Sequence, residues 1–551
     1  MSDLLNSASL VMIPSGYKED VVYSQIPTSG AGDLSFTRAS NGTRINSAGL
    51  VEVCPWNLLQ QSETFDNAAW SKTGATVTAN DITAPNGTLT ADKIVFSGAN
   101  KTINQSVNID GAISTRFVYV KGTAGETISI DDIFTSQPNI TLTGDWQLVG
   151  FTSATPNGYG FGISTYGGAT ARTIWLWGAQ LNIGSTAKPY FPTTDRLNVP
   201  RLTYQNGGGG CPSLLLEKQS TNLFTYSEQL DNGAWFTNGL TVTANQGVSP
   251  DGTQNADLLD DGTASSTQHW IYQGTSFSNS TAYTISFYAK YVSRKYMAVN
   301  IYNGATSQYV VYDIQNGSVY GSTGDVTASI TSVGNGWYRV VYTRTMSASG
   351  SPNFRIAMAD DTGNETYTGS NKQVYLWGMQ CEASSYVTSY IVSTSSSATR
   401  VLDECSKTGI SSLIGQTEGV LFVDFVFTAY DGSAKWIAFL GGGANYIGLY
   451  ANSNTYIIGE VSNTTSQFSG AYSFSVGQRY KIAIAYKAND FAYYVNGSQI
   501  TTSSSGTVPT TSDFTFLYST TNDRIGGKVY NQAALFKTRL TNAELASLTT
   551  I

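Results

Sequence analysis

Few side chains in this sequence have types and spacings suited to catalysis. The single histidine, His269, lies in TQHWIYQ, which alternates like a strand. A catalytic triad or a histidine metal site needs partner groups at defined places, so a packing or surface role is predicted. Asp360 and Asp361 form an acidic pair in ADDTGNE. Oxygen donors in such a loop suit a turn first and a calcium ion second; no other cofactor or metal is expected. Glycoside hydrolysis needs two carboxylates about 5–9.5 Å apart. The strand GVLFVDFVF at 419–427 offers Asp424 alone, read as a solvated acid on an outer face. The sequence contains no phosphate loop, GxSxG or HExxH. The expectation is a protein without enzymatic activity.

Aromatic side chains point to sugar binding instead, because a flat ring stacks against the C–H face of a sugar and dominates such contacts. Trp175 and Trp177 in IWLWGAQ, and Tyr375 and Trp377 in VYLWGMQ, stand two apart, so each pair projects from one strand face. That face is either a sandwich core, the ordinary place for tryptophan, or an outer surface with Leu176 and Leu376 pointing inward. Trp436, Tyr446 and Tyr450 lie around Gly441-Gly442-Gly443. Loops at sheet edges often carry function, and this cluster is the preferred binding candidate.

A duplicated framework must position these rings. Residues 57–70 read NLLQQSETFDNAAW, and residues 222–235 read NLFTYSEQLDNGAW. The offset from 57 to 222 also aligns TVTAN at 76–80 with TVTAN at 241–245, and Glu52 with Glu217. Farther on, Trp146 aligns with Trp337 and Trp177 with Trp377, so the second copy has gained loop length without losing order. Loops absorb such gains at about 0.6 kcal/mol per doubling of length. Trp70 and Trp235 end the repeated stretch and are read as core or interdomain plugs. Within TAYTISFYAKYV, Tyr283, Ile285, Phe287 and Ala289 share one face, the period of a half-buried strand. Many such strands, punctuated by Gly, Asn and Ser, predict all-β tandem sandwiches of jelly-roll type. The stretch 479–500 reads as a hairpin with Asn496-Gly497 as a turn, and Thr541 to Glu544 as a capping box.

Composition agrees. Charged residues are 12% of the 551, against about 25% in ordinary globular chains, which suits strands with uncharged polar outer faces. The net charge of −8 disfavours nucleic acid and anionic membrane as partners. Cys54, Cys211, Cys381 and Cys405 are scattered without a CxxC, so reduced structural thiols are expected. The first twenty residues lack a basic stretch followed by an apolar core, so no signal peptide is expected, and no apolar run is long enough to span a membrane. Synthesis in a cytoplasm is expected.

Several stretches resemble tailed-bacteriophage virion proteins. LVMIPSGYKEDVVYSQIP with GDLSFTRASNGTRINSAGLVE resembles their N-terminal portion; TNLFTYSEQLDNGAW and VYLWGMQCEASSYVTSY resemble carbohydrate-binding-module-like sandwiches of phage fibres; the tail from CSKTGISSLIGQTEGVLFVDF to LFKTRLTNAELASL is similar to concanavalin A-like, laminin-G-like jelly rolls. The resemblance implies a docking region at 1–52, sandwiches at 53–196 and 197–400, and a jelly roll at 401–551. It implies a virion fibre or adhesin subunit, oligomeric as a trimer, that contacts other virion proteins and a bacterial surface glycan. The alternatives are a purely structural head fibre, decoration or tail adaptor protein and, last, a polysaccharide depolymerase.

Overall fold

The computed structural model describes all residues except 1–2, 108, 110–112, 134–138, 154–159, 167–169, 206, 303–306, 349, 351–353 and 517–525. It divides into two compact units: Val53–Leu197 with Asp251–Asn255, and Met1–Glu52, Asn198–Pro250 and Ala256–Ile551. Nearly every element is an antiparallel strand, as the alternating pattern predicts. No helix among the described residues is long and apolar enough to cross a membrane.

The smaller unit is a sandwich of two five-stranded sheets. Ile94, Phe96, Val118, Val120 and Phe161 fill the space between them, with Trp70 at one side. In the long strand Arg172–Ile183, Ile174 and Leu176 point inward, and so do Ala179 and Leu181. Parity therefore slips by one residue at Trp177-Gly178. A bulge there shifts the register against the strand Ser114–Gly122 between Phe117 and Tyr119, and Gly178 takes φ +66°, a conformation that costs glycine little. The second copy repeats the device, with Gly378 at φ +66° and the slip between Ser286 and Tyr288.

The larger unit holds two sandwiches. In the first, Tyr283, Ile285, Phe287 and Ala289 of the strand Ala282–Tyr291 all face the core, as their alternation predicts. In the second, eight- and nine-stranded sheets enclose Leu421, Val423, Phe425 and Phe427 together with Ile482, Ile484 and Tyr493. The turn Asn496-Gly497 has φ of +49° and +82°, the positive pair that a two-residue hairpin requires. The closing helix Asn542–Thr549 carries the full capping box between Thr541 and Glu544. The N-terminal strands are woven into this C-terminal sandwich. Leu10–Met12 pairs with Lys528–Phe536, and Leu34–Thr37 pairs with Glu404–Lys407. Ser213–Leu216 also pairs with Lys528–Phe536.

Charge is buried where these segments meet. Asp403 lies between Arg38 (2.9 Å) and Arg201, and Glu217 lies between Arg201 (2.7 Å) and Arg400 (3.2 Å); every side chain is at most 5% exposed. Ser220 and Thr388 donate to Glu382 nearby, and the Thr388 hydroxyl accepts from Arg400 at 3.1 Å. A second buried charge is less well matched. Lys528 is buried over the Phe427 ring, and its ammonium reaches the Gly526 carbonyl at 3.3 Å. Burial, with Lys435 adding to it, pushes its pKa down to about 7. The folded value lies below the unfolded one, so the penalty is full below pH 7 and fades as pH climbs toward 10. Lys528→Met is expected to raise stability by about 1–3 kcal/mol at pH 6 and to change little at pH 10. Urea midpoints at the two pH values check this; an equal effect at both would refute it.

Candidate functional site

The structure brings Trp436, Tyr446 and Tyr450 together. They stand on the strands Lys435–Gly442 and Asn445–Ala451, in the nine-stranded sheet. Ile447, Leu449 and Ala451 alternate with the tyrosines and face the core, so Tyr446 and Tyr450 project from the outer face. Trp436 and Tyr450 are register partners with ring centroids 5.2 Å apart. Both tyrosine hydroxyls donate to one oxygen of Glu460, at 2.8 and 2.9 Å, from the neighbouring strand Tyr456–Asn463. Burial, reinforced by the Glu460 carboxylate, pushes both phenol pKa values upward, so they remain hydrogen-bond donors at any physiological pH. Gly448 separates the tyrosines; a Cβ there would fall 2.5 Å from the Phe439 ring, which fills that space. The result is a half-buried aromatic face with one fixed carboxylate, a combination of ring surface and hydrogen-bonding groups that matches a sugar.

The other sequence-predicted rings divide differently. Ile174 and Leu176 point inward, as do Val374 and Leu376, so Trp175, Trp177, Tyr375 and Trp377 lie outside the main cores. Trp177 is nevertheless buried against Tyr119 and Tyr190, at 5.4 and 5.1 Å. Trp377 is buried in the same way against Tyr288 and Tyr390. Tyr190 donates to Glu63 at 3.0 Å, and burial raises the Glu63 pKa. Tyr390 donates to Ser227 at 2.7 Å. These small clusters explain the repeated Ser-Glu of each copy. Trp175 is tied to Asp81 (2.7 Å) and Tyr375 to the Gln246 carbonyl (3.3 Å), so both are partly spent on their own framework.

Sequence reasoning missed a third aromatic group. The strand Thr267–Tyr272 buries His269 and Ile271 and presents Trp270 and Tyr272 on the opposite face. Phe236, 55% exposed, pairs across with Tyr272, and their rings stack at 5.3 Å. The Arg355 guanidinium lies over Trp270 at 4.9 Å and donates to Gln268 at 2.9 Å. The alternation in TQHWIYQ carries this signal: His269 and Ile271 share the inward face, and Trp270 and Tyr272 the other.

The residues first considered for catalysis are otherwise engaged. Asp424 is only 1% exposed; Arg479 and Asn531 close over it at 2.5–2.8 Å, which corrects the reading of it as solvated. His269 is fully buried, with its ring nitrogens 2.5 Å from the Gly239 carbonyl and 3.3 Å from that of Tyr367. Asp360 accepts from the Thr362 and Asn364 amides, at 2.8 and 2.9 Å, and from the Thr362 hydroxyl. Asp361 pairs with Lys372 at 3.0 Å. Among the described residues no group of three or more His, Cys, Asp or Glu is placed to hold a metal. Cys211 is exposed and the other three cysteines are buried; no disulfide joins any of the four.

Fold and site define an all-β protein of tandem sandwiches with aromatic outer faces. No family model and no curated protein matches the sequence. Among solved structures, the chain is similar to the tandem CBM22-1-CBM22-2 domain of Paenibacillus barcinonensis Xyn10C, with 14% identity over 60% of this chain and 98% of that one, TM-score 0.21. It is similar to the CBM40 of the Ruminococcus gnavus IT-sialidase, with 11% identity over 26% of this chain and 92% of that one, TM-score 0.22. It also aligns with Trypanosoma rangeli sialidase, with 10% identity over 93% of this chain and 98% of that one, TM-score 0.23. The expectation of a protein without enzymatic activity is corrected on this point: it rested on missing motifs, and enzymes stand among the aligned structures. Likenesses of this size carry no argument for a particular reaction or ligand.

Proposed function

We propose that this protein is a glycan-binding subunit of a tailed-bacteriophage virion, a fibre or adhesin that presents its sandwiches to a bacterial surface. One observation supports the binding reading above the rest: Trp436, Tyr446 and Tyr450 converge on one outer sheet face, with both phenols held by Glu460. Rings fixed before the ligand arrives lose little freedom on binding, which is where much of the cost of association lies. The virion setting is supported by the sequence stretches at the N-terminus and in the repeats. Other virion proteins and a trimeric assembly of this chain complete the proposal, since joining weak sites raises avidity by about 10²–10⁴.

The test uses the whole chain and host-cell surface polysaccharide. Trp436→Ala combined with Tyr450→Ala is expected to weaken binding at least tenfold, about 1.4 kcal/mol, with circular dichroism unchanged. Retained affinity in that double variant would remove the site from consideration. Light scattering reports the oligomer, and a monomer at all concentrations would end the trimer proposal.

A further inference from the structure

The two copies of the duplicated sandwich share a skeleton, and one outer strip changes its chemistry between them. Gln105 clamps the backbone of Gln60 through both amide atoms (2.7 and 2.9 Å), and Gln273 does the same to Thr225 (2.7 and 3.0 Å). This equivalence sets the two neighbouring strand pairs in register. In the first copy, Asn104 faces Ser71 and Thr102 faces Thr73. In the second, Tyr272 faces Phe236 and Trp270 faces Asn238. So where one copy carries Ser71, Thr102 and Asn104, the other carries Phe236, Trp270 and Tyr272. Three exchanges from small polar to aromatic stand side by side: Trp270 rests on the buried cluster of Tyr296, Ala298, Val311, Ala357 and Ala359, and Tyr272 on the edge of the main core, while Phe236 is 55% exposed and leaves a ring surface open to solvent.

We propose that this strip is a second glycan site, present in the second copy and absent from the first. The proposal rests on the glycan-binding reading above and deepens it. Phe236 and Tyr272 stack within 25° of parallel, which gives a ring surface for the C–H face of a pyranose. Polar groups stand beside it on adjacent strands: Arg355 on Gln268, and Asn300 at 3.3–3.4 Å from the Glu365 carboxylate. Asn300 and Arg355 are themselves register partners. Two atoms of this group are unsatisfied. Among the described residues the Trp270 indole N–H has no acceptor and the Asn300 side-chain oxygen has no donor. A buried polar atom without a partner costs about 1–3 kcal/mol; both atoms lie beneath the surface, so side-chain movement must open them before a sugar hydroxyl, which both donates and accepts, pairs with either. A lipid chain would use the rings but offers neither a donor nor an acceptor.

The first copy supplies the variant for the test. Phe236→Ser, Trp270→Thr and Tyr272→Asn together install side chains that the same skeleton already tolerates. The full-length variant, the wild type and the Trp436→Ala/Tyr450→Ala variant are compared on one array of neutral and acidic oligosaccharides, with urea midpoints as the folding control. The expected result is a set of glycans bound by the wild type, lost at least tenfold by the triple variant and kept by the Trp436/Tyr450 variant. If the triple variant keeps the complete wild-type profile while the Trp436/Tyr450 variant loses glycans, the second site is refuted and the first stands. An array blank for the wild type refutes both.

Discussion

Asp403→Ala will cost the larger unit about 3–5 kcal/mol, the penalty for breaking a buried ion pair from one side. Asp403 holds Arg38 at 2.9 Å, binds Arg201 through its other oxygen, and accepts the Glu217 amide at 2.9 Å. Removing it leaves three buried guanidinium groups, those of Arg38, Arg201 and Arg400, with one acid, Glu217, which lies between Arg201 and Arg400. Asp403→Asn should cost nearly as much, because the lost quantity is charge rather than volume. Thermal and urea unfolding report the change, and a loss below about 1 kcal/mol would mean that water reaches these groups. Acid provides an independent probe. Burial tends to raise the Glu217 pKa, but Arg400 and Arg201 outweigh it and hold the value at about 2. The folded value is depressed, so its stabilisation is complete above the ordinary carboxylate range and is lost as pH falls toward 2. Removing either arginine should shift acid unfolding to higher pH.

Asn57→Ala and Asn222→Ala will each cost about 2–5 kcal/mol, and by similar amounts. Asn57 donates to the carbonyls of Ala179 and Phe191, both at 3.0 Å, and accepts from the amides of Leu59 and Leu181, both at 3.2 Å. Asn222 donates to Met379 and Ile391, both at 2.9 Å, and accepts from Phe224 at 3.2 Å and Cys381 at 3.0 Å. Each asparagine thus satisfies four backbone groups from three separate segments. Alanine leaves all four buried and unmet. Matching losses in urea titrations are the expected outcome; a large loss in one copy beside none in the other would mean that the shared residues do different work.

The same bonding accounts for the rest of the repeated stretch. Asp92 accepts from the amides of Phe65 and Asn80, and Asp257 from those of Leu230 and Asn245, at matching distances of 2.7 and 2.9 Å. The indoles of Trp70 and Trp235 donate to the carbonyls of Gln61 and Tyr226. Trp146 and Trp337, aligned from sequence across a longer gap, donate to Thr83 and Val248. Identical side chains at a fixed offset were legible because each makes local or repeated backbone bonds, and such bonds demand one residue type.

Faces were harder to read. Period two told which residues travel together, as with Tyr283 to Ala289 or Tyr480 to Tyr486, and a long apolar face identified the core. It did not say what lies over the other face. Nothing in its own strand opposes a solvent-facing Asp424, yet Arg479, 55 residues along the chain, covers it. Trp175 and Trp177 shared a face in the sequence pattern, but only the packing of Tyr119 and Tyr190 decided that one ring is buried and the other partly open.

By itself the sequence determined the all-β class, the duplication, the Asn496-Gly497 turn, the capping box and the residues that line the cores. These depend on neighbours within a few positions, or on a repeat, and a linear pattern records both. The tertiary structure alone decided that Arg38, Arg201 and Asp403 form one buried group, that N-terminal strands complete a C-terminal sandwich, and that Phe236, Trp270 and Tyr272 form a continuous strip. The reason is physical: burial of a charge or exposure of a ring depends on what the other segments cover, and segments from 36 residues apart (Phe236 and Tyr272) to 525 apart (Leu10 and Leu535) leave no periodic trace of their meeting.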